Sequence, residues 1–248
     1  MIHRGKKAII TGGTRGIGKA IASRLAAEGC ALVLNYLDDD ETARATLGEL
    51  RAKKSEATLV KANLADPAEA RRLCDEALKA LGGIDYLVHC AALGTFKKVS
   101  DLRLNQWDLS FDINVKSFLV MCQKISPAMK NGGAIVALSS SGAARYVPNY
   151  GAIGISKAAL ECLVKYLAVE FIGSGIRVNS VSAGPVETRA LAAFPHPERM
   201  KEEMSVRTPA GRLGRPEDLT GLVSFLLSPD AAWIIGQVVV ADGGLSLV

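Results

Sequence analysis

Short apolar runs and amphipathic stretches take turns along this chain. Apolar runs at 7–11, 31–36 and 57–62 are each followed by a stretch of helical periodicity, at 17–29, 41–53 and 67–81. A run of five or six mostly apolar residues has the length of a buried strand, whereas apolar positions recurring every three or four residues mark one face of a helix. The alternation predicts βαβ units and a parallel sheet covered on both faces. Further runs at 86–90, 134–139, 176–180 and 238–241 predict more strands, and 105–129 and 150–171 predict two long helices. The expected fold class is α/β, with about seven strands in a doubly wound parallel sheet, helices on both faces, and ligands outside the carboxyl ends of the strands. No Pro/Gly-rich linker, repeat or low-complexity stretch divides residues 1–248, so one domain is expected. The segment 186–208, rich in Ala, Met, Pro and charge, fits the alternation least and is expected to form a mobile lid.

Composition narrows the function classes. Hydrophobic residues make up 49% and charged residues 22%, with no long polar tract, which describes a folded globular chain. The net charge of +5 is spread along the chain, so nucleic acid binding is not implied, while a phosphorylated ligand or an acidic protein partner is compatible with it. Lys6 and Lys7 precede the apolar Ala8-Ile9-Ile10, which glycines interrupt before a signal peptide or membrane span is complete. A cytoplasmic protein without membrane association is expected. Cys30, Cys74, Cys90, Cys122 and Cys162 stand singly, without a Cys-x2-Cys pair, and predict reduced thiols and no metal site.

The first candidate chemistry is Thr11-Gly-Gly-Thr-Arg-Gly-Ile-Gly18, placed between a predicted strand and a predicted helix. Gly12 permits a tight turn, Gly16 lets backbone approach a pyrophosphate, and Gly18 lets helix and sheet pack closely, with the helix N-terminus facing the phosphates. The sheet is therefore expected to be of the Rossmann type, with residues 1–248 forming a dinucleotide-binding and catalytic domain. Arg15 beside this loop would attract an adenosine 2′-phosphate. Asp38, Asp39 and Asp40, just past the second strand, would repel one or accept bonds from a free ribose hydroxyl. The second candidate is Tyr150 with Lys157: residues seven apart on a helix return to nearly the same face, so both can line one cleft.

With these motifs the chain resembles the short-chain dehydrogenase/reductase family over essentially its whole length. By that resemblance, Asn114 in Asp-Ile-Asn-Val matches the helix asparagine that helps to hold a water and the lysine, and Ser140 in Leu-Ser-Ser-Ser-Gly falls at the catalytic serine position. Ser139 and Ser141 are adjacent alternatives. Lys157 matches the lysine that binds the nicotinamide ribose. The strand-end loop with Gly184, Pro185, Val186 and Thr188 is similar to the one that packs around the nicotinamide. The resemblance also implies cofactor contacts at Thr14, Ile17, Tyr36, Asn63, Leu64 and Ala91, a simple turn cap being the alternative for Asn63. Where the family often has Asn-Asn-Ala-Gly, this chain has His89-Cys90-Ala91-Ala92, and neither His89 nor Cys90 is assigned the missing side-chain contacts.

Within the family the chain is most similar to enoyl-acyl-carrier-protein reductases of type III, which carry Tyr-x6-Lys. The commoner Tyr-x3-Lys arrangement would put its tyrosine at Ile153. Arg145-Tyr-Val-Pro-Asn-Tyr150, Tyr166-Leu-Ala-Val-Glu170 and Thr208-Pro-Ala-Gly-Arg212 also look like that subgroup. The resemblance implies reduction of a trans-2-enoyl thioester on acyl carrier protein in fatty-acid synthesis, with NADPH favoured slightly over NADH, by a homotetramer. Tyr150 would donate to the thioester oxygen, where charge develops. Tyr146 is a rival phenol, without the lysine spacing. Two readings compete with the enoyl reductase: a 3-ketoacyl reductase or other alcohol dehydrogenase of the same family, and a non-catalytic dinucleotide-binding regulator.

Overall fold

The computed structural model describes residues 1–189, 191–193 and 197–248. Seven strands form one parallel sheet: β1 (Lys7–Thr11), β2 (Ala31–Tyr36), β3 (Ala57–Lys61), β4 (Tyr86–His89), β5 (Gly133–Ser140), β6 (Ile176–Ala183) and β7 (Val238–Ala241), in the order β3-β2-β1-β4-β5-β6-β7. Among the described residues, the α-helices are α1 (Gly16–Ala27), α2 (Asp40–Ala52), α3 (Pro67–Leu81), α4 (Leu104–Phe111), α5 (Ser117–Ile125), α6 (Gly151–Phe171), α7 (Pro197–Arg207) and α8 (Thr220–Leu227). The expected doubly wound α/β fold is the one observed.

The pleat divides the core in two. Ile9, Val33, Leu87, Ile135, Ala137 and Val178 face α3, α5 and α6, through residues such as Leu73, Phe118, Met121, Leu160 and Val164. Ile10, Leu32, Leu34, Val88, Val136 and Val181 face the opposite layer, made by Ile21 and Leu25 of α1, Leu50 of α2 and Val223 and Leu226 of α8. Burying one such side chain contributes about 1.5–3 kcal/mol. Burial on both faces explains why the strands read as continuous apolar runs.

Two features of this frame position the site. Strand order reverses between β1 and β4, where Thr11 is paired with His89. A crevice opens at such a reversal, beyond the carboxyl ends of the strands. The stretch expected as a single helix over 105–129 is interrupted: between α4 and α5 the backbone makes a π-helical turn, Asp112–Lys116. Such a turn inserts a residue into the helical ladder and re-aims the side chains beside it. Asn114 lies in it.

The segment expected as a lid carries a short turn, Leu191–Ala193, and α7. Its residues 190 and 194–196 lie outside the described residues. Among the described residues, no helix is long and apolar enough to cross a membrane, and no group of three or more His, Cys, Asp or Glu side chains is placed to hold a metal ion.

Candidate active site

The glycine loop after β1 is shaped by contacts that exclude side chains. Gly12 and Gly16 have φ of +58° and +52°, in the left-handed region that glycine adopts without strain. A Cβ on Gly18 would lie 2.2 Å from the Gly12 carbonyl oxygen, and one on Gly12 would lie 3.3 Å from the Cα and N of Ala91. The Thr11 hydroxyl accepts hydrogen bonds from the amides of Cys90 and Ala91, both at 3.0 Å, which joins the ends of β1 and β4. The buried amide of Asn35 holds the other side: its Oδ1 accepts from Gly12 N at 3.4 Å, and its Nδ2 donates to the Ala62 carbonyl at 3.0 Å. The Thr14 carbonyl accepts from Thr46 at 2.9 Å. The first residues of α1, Gly16, Ile17 and Gly18, therefore follow a loop pinned on both sides by hydrogen bonds, with glycine at 12, 16 and 18 keeping side chains of the loop itself away from the helix N-terminus. That is the cradle a pyrophosphate requires.

The remaining predicted cofactor residues surround this cradle unevenly. Thr188 comes within 3.5 Å of the space above Gly16, so the loop after β6 reaches across the glycine loop. Val186 is buried, and the Pro185 carbonyl accepts from Gly214 at 2.9 Å. Gly184 is pressed against Asp242, whose Cα would be 2.8 Å from an added Cβ. Leu64 is buried, and Asn63 accepts from the Ala65 amide at 3.1 Å, the turn-cap role weighed for it above. The three aspartates are not equivalent. Asp39 caps α2 through Thr42 and pairs with Arg189 at 3.3 Å, while Asp40 pairs with Lys61 at 3.0 Å and accepts from the Tyr36 hydroxyl. Arg15 is exposed at the start of α1 and, among the described residues, belongs to no ion pair.

Across the cleft, Ser140 ends β5 and Tyr150 precedes the first residue of α6. Ser140 Oγ accepts from the Gly142 amide at 3.3 Å and shares a hydrogen bond with the Tyr150 hydroxyl. Burial raises the Tyr150 phenol above the ordinary tyrosine value, with the Ser140 hydrogen bond opposing it, so the phenol keeps its proton at neutral pH. The neighbouring Ser139 points to the other face of the sheet and donates to Glu161 of α6 at 2.5 Å. Pleating thus separates two serines that look alike in the sequence. Tyr146, the rival phenol, is 85% exposed.

Lys157 lies two turns along α6, buried, and donates to the Leu138 carbonyl at 2.6 Å. Burial pulls its ammonium down from the usual lysine value to about 8, opposed by Cys90 and Glu161. Asn114 is fully buried, and both ends of its side chain are engaged. Its Oδ1 accepts from Leu93 N at 3.0 Å, and its Nδ2 donates to Leu93 O at 3.0 Å and Ser156 Oγ at 2.8 Å. Its side chain therefore acts on the site by tying the loop after β4 to α6.

Position 153 is filled with hydrocarbon. Ile153 is buried, and its Cγ1 lies so close to Gly94 that an added Cβ there would be 2.2 Å away. No phenol stands where the commoner spacing would put one. His89 is fully buried and meets Ser117 Oγ at 2.9 Å, while the Ser117 hydroxyl donates to the Ile113 carbonyl at 2.6 Å. That commits the serine proton, so His89 carries its hydrogen on Nε2 and leaves Nδ1 as an acceptor, buried and unpartnered among the described residues. Burial, with the nearby Lys157 charge, holds His89 down to about 3, and burial pushes the Cys90 thiol up to about 12. His89 is therefore a neutral prop beneath the π-helical turn, and Cys90 is not a thiolate.

Residues 12–246 match the family described as Enoyl-(Acyl carrier protein) reductase. The chain is 37% identical over 247 residues to the 1-cyclohexenylcarbonyl-CoA reductase of Streptomyces collinus, covering 99% of this chain and 88% of that protein. It belongs to the short-chain dehydrogenase/reductase family. A 3-oxoacyl-(acyl-carrier-protein) reductase of Staphylococcus aureus is 33% identical, over 97% of this chain and 98% of that one. A short-chain dehydrogenase of Burkholderia cenocepacia, solved in complex with NADP, superposes with a TM-score of 0.91 at 32% identity, covering 99% of this chain and 100% of that one. The chain is thus an oxidoreductase of this family. Its relatives include reductases named for a cyclohexenylcarbonyl-CoA and for a 3-oxoacyl-(acyl-carrier-protein).

Thr11, Asn35, Ser117, Ser156 and Gly142 all serve the site and were given no role from the sequence. Thr11 and Gly142 had a visible signal, as the first residue of the glycine motif and the last of Leu-Ser-Ser-Ser-Gly.

Proposed function

We propose that the chain is an NAD(P)H-dependent reductase of trans-2-enoyl thioesters. The observation that carries this is the pairing of Tyr150 with Ser140 while Ile153 fills the usual tyrosine position. The glycine loop of Gly12, Gly16 and Gly18 fits a dinucleotide, and Lys157 would hold its ribose. When bound, a nicotinamide supplies a hydride, which in a conjugated thioester goes to the β-carbon. Negative charge then develops on the thioester oxygen, farther along the conjugated chain. A phenol anchored three residues earlier, about 4.5 Å along the helix, suits that more distant oxygen. Tyr150, protonated and oriented by Ser140, donates its hydrogen bond there, which is stabilisation aimed where charge appears. A proton taken up from solvent at the α-carbon completes the reduction.

The Streptomyces relative acts on a coenzyme A thioester and the family description names acyl carrier protein, so both carriers belong in the assay. The ketone-reducing alternative is favoured by the Ser140 and Tyr150 pair itself, and opposed by Ile153. With the purified protein, crotonyl thioester should consume cofactor at least tenfold faster than acetoacetyl thioester. The reverse order would make it a ketoreductase.

NADPH is the cofactor we favour, because Arg15 is available while Asp39 and Asp40 are already paired. Arg15→Ala should raise the NADPH dissociation constant roughly tenfold, the worth of one charge-assisted bond, and leave NADH nearly unchanged. Equal effects on both would remove Arg15 from that role. A homotetramer belongs to the same proposal, supported by the exposed apolar residues Tyr166 and Val169 on α6 and Leu247 at the C-terminus. Light scattering should give a mass near four times 26.2 kDa, and a monomer mass would sink it.

A further inference from the structure

The Tyr150 ring is closely packed. The Phe96 ring lies 5.9 Å away between centroids, tilted by 37°. The bare backbone of Gly142 approaches closer still: a Cβ there would come 2.5 Å from Cδ1 and 2.7 Å from Cε1 of Tyr150. Gly142 is also the donor to Ser140 Oγ, so it touches both members of the hydroxyl pair. Beneath it is a second glycine: a Cβ on Gly154 would be 2.5 Å from the Gly142 carbonyl oxygen and 3.5 Å from Tyr150 Cδ1. Neither Gly142 nor Gly154 has a positive φ, so their backbones are ones that alanine adopts. What demands glycine at 142 is the space taken by the ring.

We propose that Gly142 is a positioning residue for the Tyr150 phenol, and that the Gly142 and Gly154 contact is what allows this phenol to work from position 150 instead of 153. The inference rests on Tyr150 being the hydrogen-bond donor to substrate. Phe96 packs against the same ring, and the Gly142 amide donates to the Ser140 hydroxyl that bonds the phenol. A methyl group at 142 must push the ring from 2.5 Å to an ordinary contact of at least 3.4 Å, a displacement of about 1 Å. A shift of that size in a reacting group costs roughly 10²-fold in rate.

Gly142→Ala should therefore lower kcat for a crotonyl thioester by about 10- to 10²-fold, with the cofactor dissociation constant and the thermal midpoint almost unchanged. Introduced into Tyr150→Phe, the same change should alter kcat by less than about twofold, because the group it displaces is already gone. Gly154→Ala provides a second route to the same turn, in a helix that alanine favours, and should show the same dependence on Tyr150. Wild-type kcat in Gly142→Ala would overturn the inference. So would an equal loss in both backgrounds, or a loss accompanied by failed cofactor binding, since each indicates a general structural role. If Tyr150→Phe alone kept full activity, the reading of Tyr150 would fail first, and the cycle shows which of the two has failed.

Discussion

Tyr150→Phe is expected to lower kcat for enoyl thioester reduction by roughly 10²-fold or more, with cofactor affinity nearly intact. The substitution removes one oxygen and keeps the ring against Phe96 and Gly142, so its packing is preserved. What is lost is a donor whose proton is held by burial and whose direction is set by Ser140. A single donor aimed at a developing oxyanion is worth about 10²- to 10³-fold. Steady-state kinetics alongside a cofactor titration separates the two effects. Tyr146→Phe is the control, because that side chain is 85% exposed and should change little. Wild-type kcat/KM in Tyr150→Phe together with a loss in Tyr146→Phe would transfer the role to Tyr146.

Lys157→Met should impair both cofactor binding and turnover. The ammonium is buried and held by the Leu138 carbonyl near the end of β5. Methionine keeps much of the volume, so the fold survives while the charge is removed. A hydrogen bond to a charged group contributes about 1.5–3 kcal/mol, which corresponds to a rise in cofactor dissociation constant of roughly 10- to 10²-fold. The pH dependence makes the assignment specific. With its pKa lowered to about 8, the free enzyme's lysine is charged below that pH and neutral above it. Cofactor affinity should therefore fall as pH rises above about 8 in the wild type, and this fall should be absent from Lys157→Met. An identical alkaline fall in both proteins would place the titrating group elsewhere.

Much of the architecture is written in local patterns. Ile9 and Ile10 are neighbours in one apolar run, and because the pleat turns them to opposite faces, a strand of that kind must be covered on both sides. The glycine motif is equally local: Gly12 and Gly18 pack against each other within one turn, so their spacing alone carries the geometry. The interruption of the 105–129 helix was not legible. Asp112–Lys116 keeps helical composition and periodicity, and the π-helical turn is held by His89 and Ser117 acting on the Ile113 carbonyl, through a partner on a different strand.

The candidate site divides along the same line. The order of strands and helices along the chain, the glycine motif after β1, and the presence of Ile153 and Tyr150 at their spacings from Lys157 were legible in the sequence itself, because each depends on residues a few positions apart. Which serine faces the phenol, what Asn114 holds, and why Gly142 is glycine were decided only by the tertiary structure. Ser139 and Ser140 differ by the pleat and by the helix packed over it, which supplies Glu161 to one and Tyr150 to the other. Asn114 finds its partners at Leu93 and Ser156, 21 and 42 residues away. Side-chain identity limits what a group can donate or accept, but its partner is fixed by which distant backbone the packed core brings within about 3 Å.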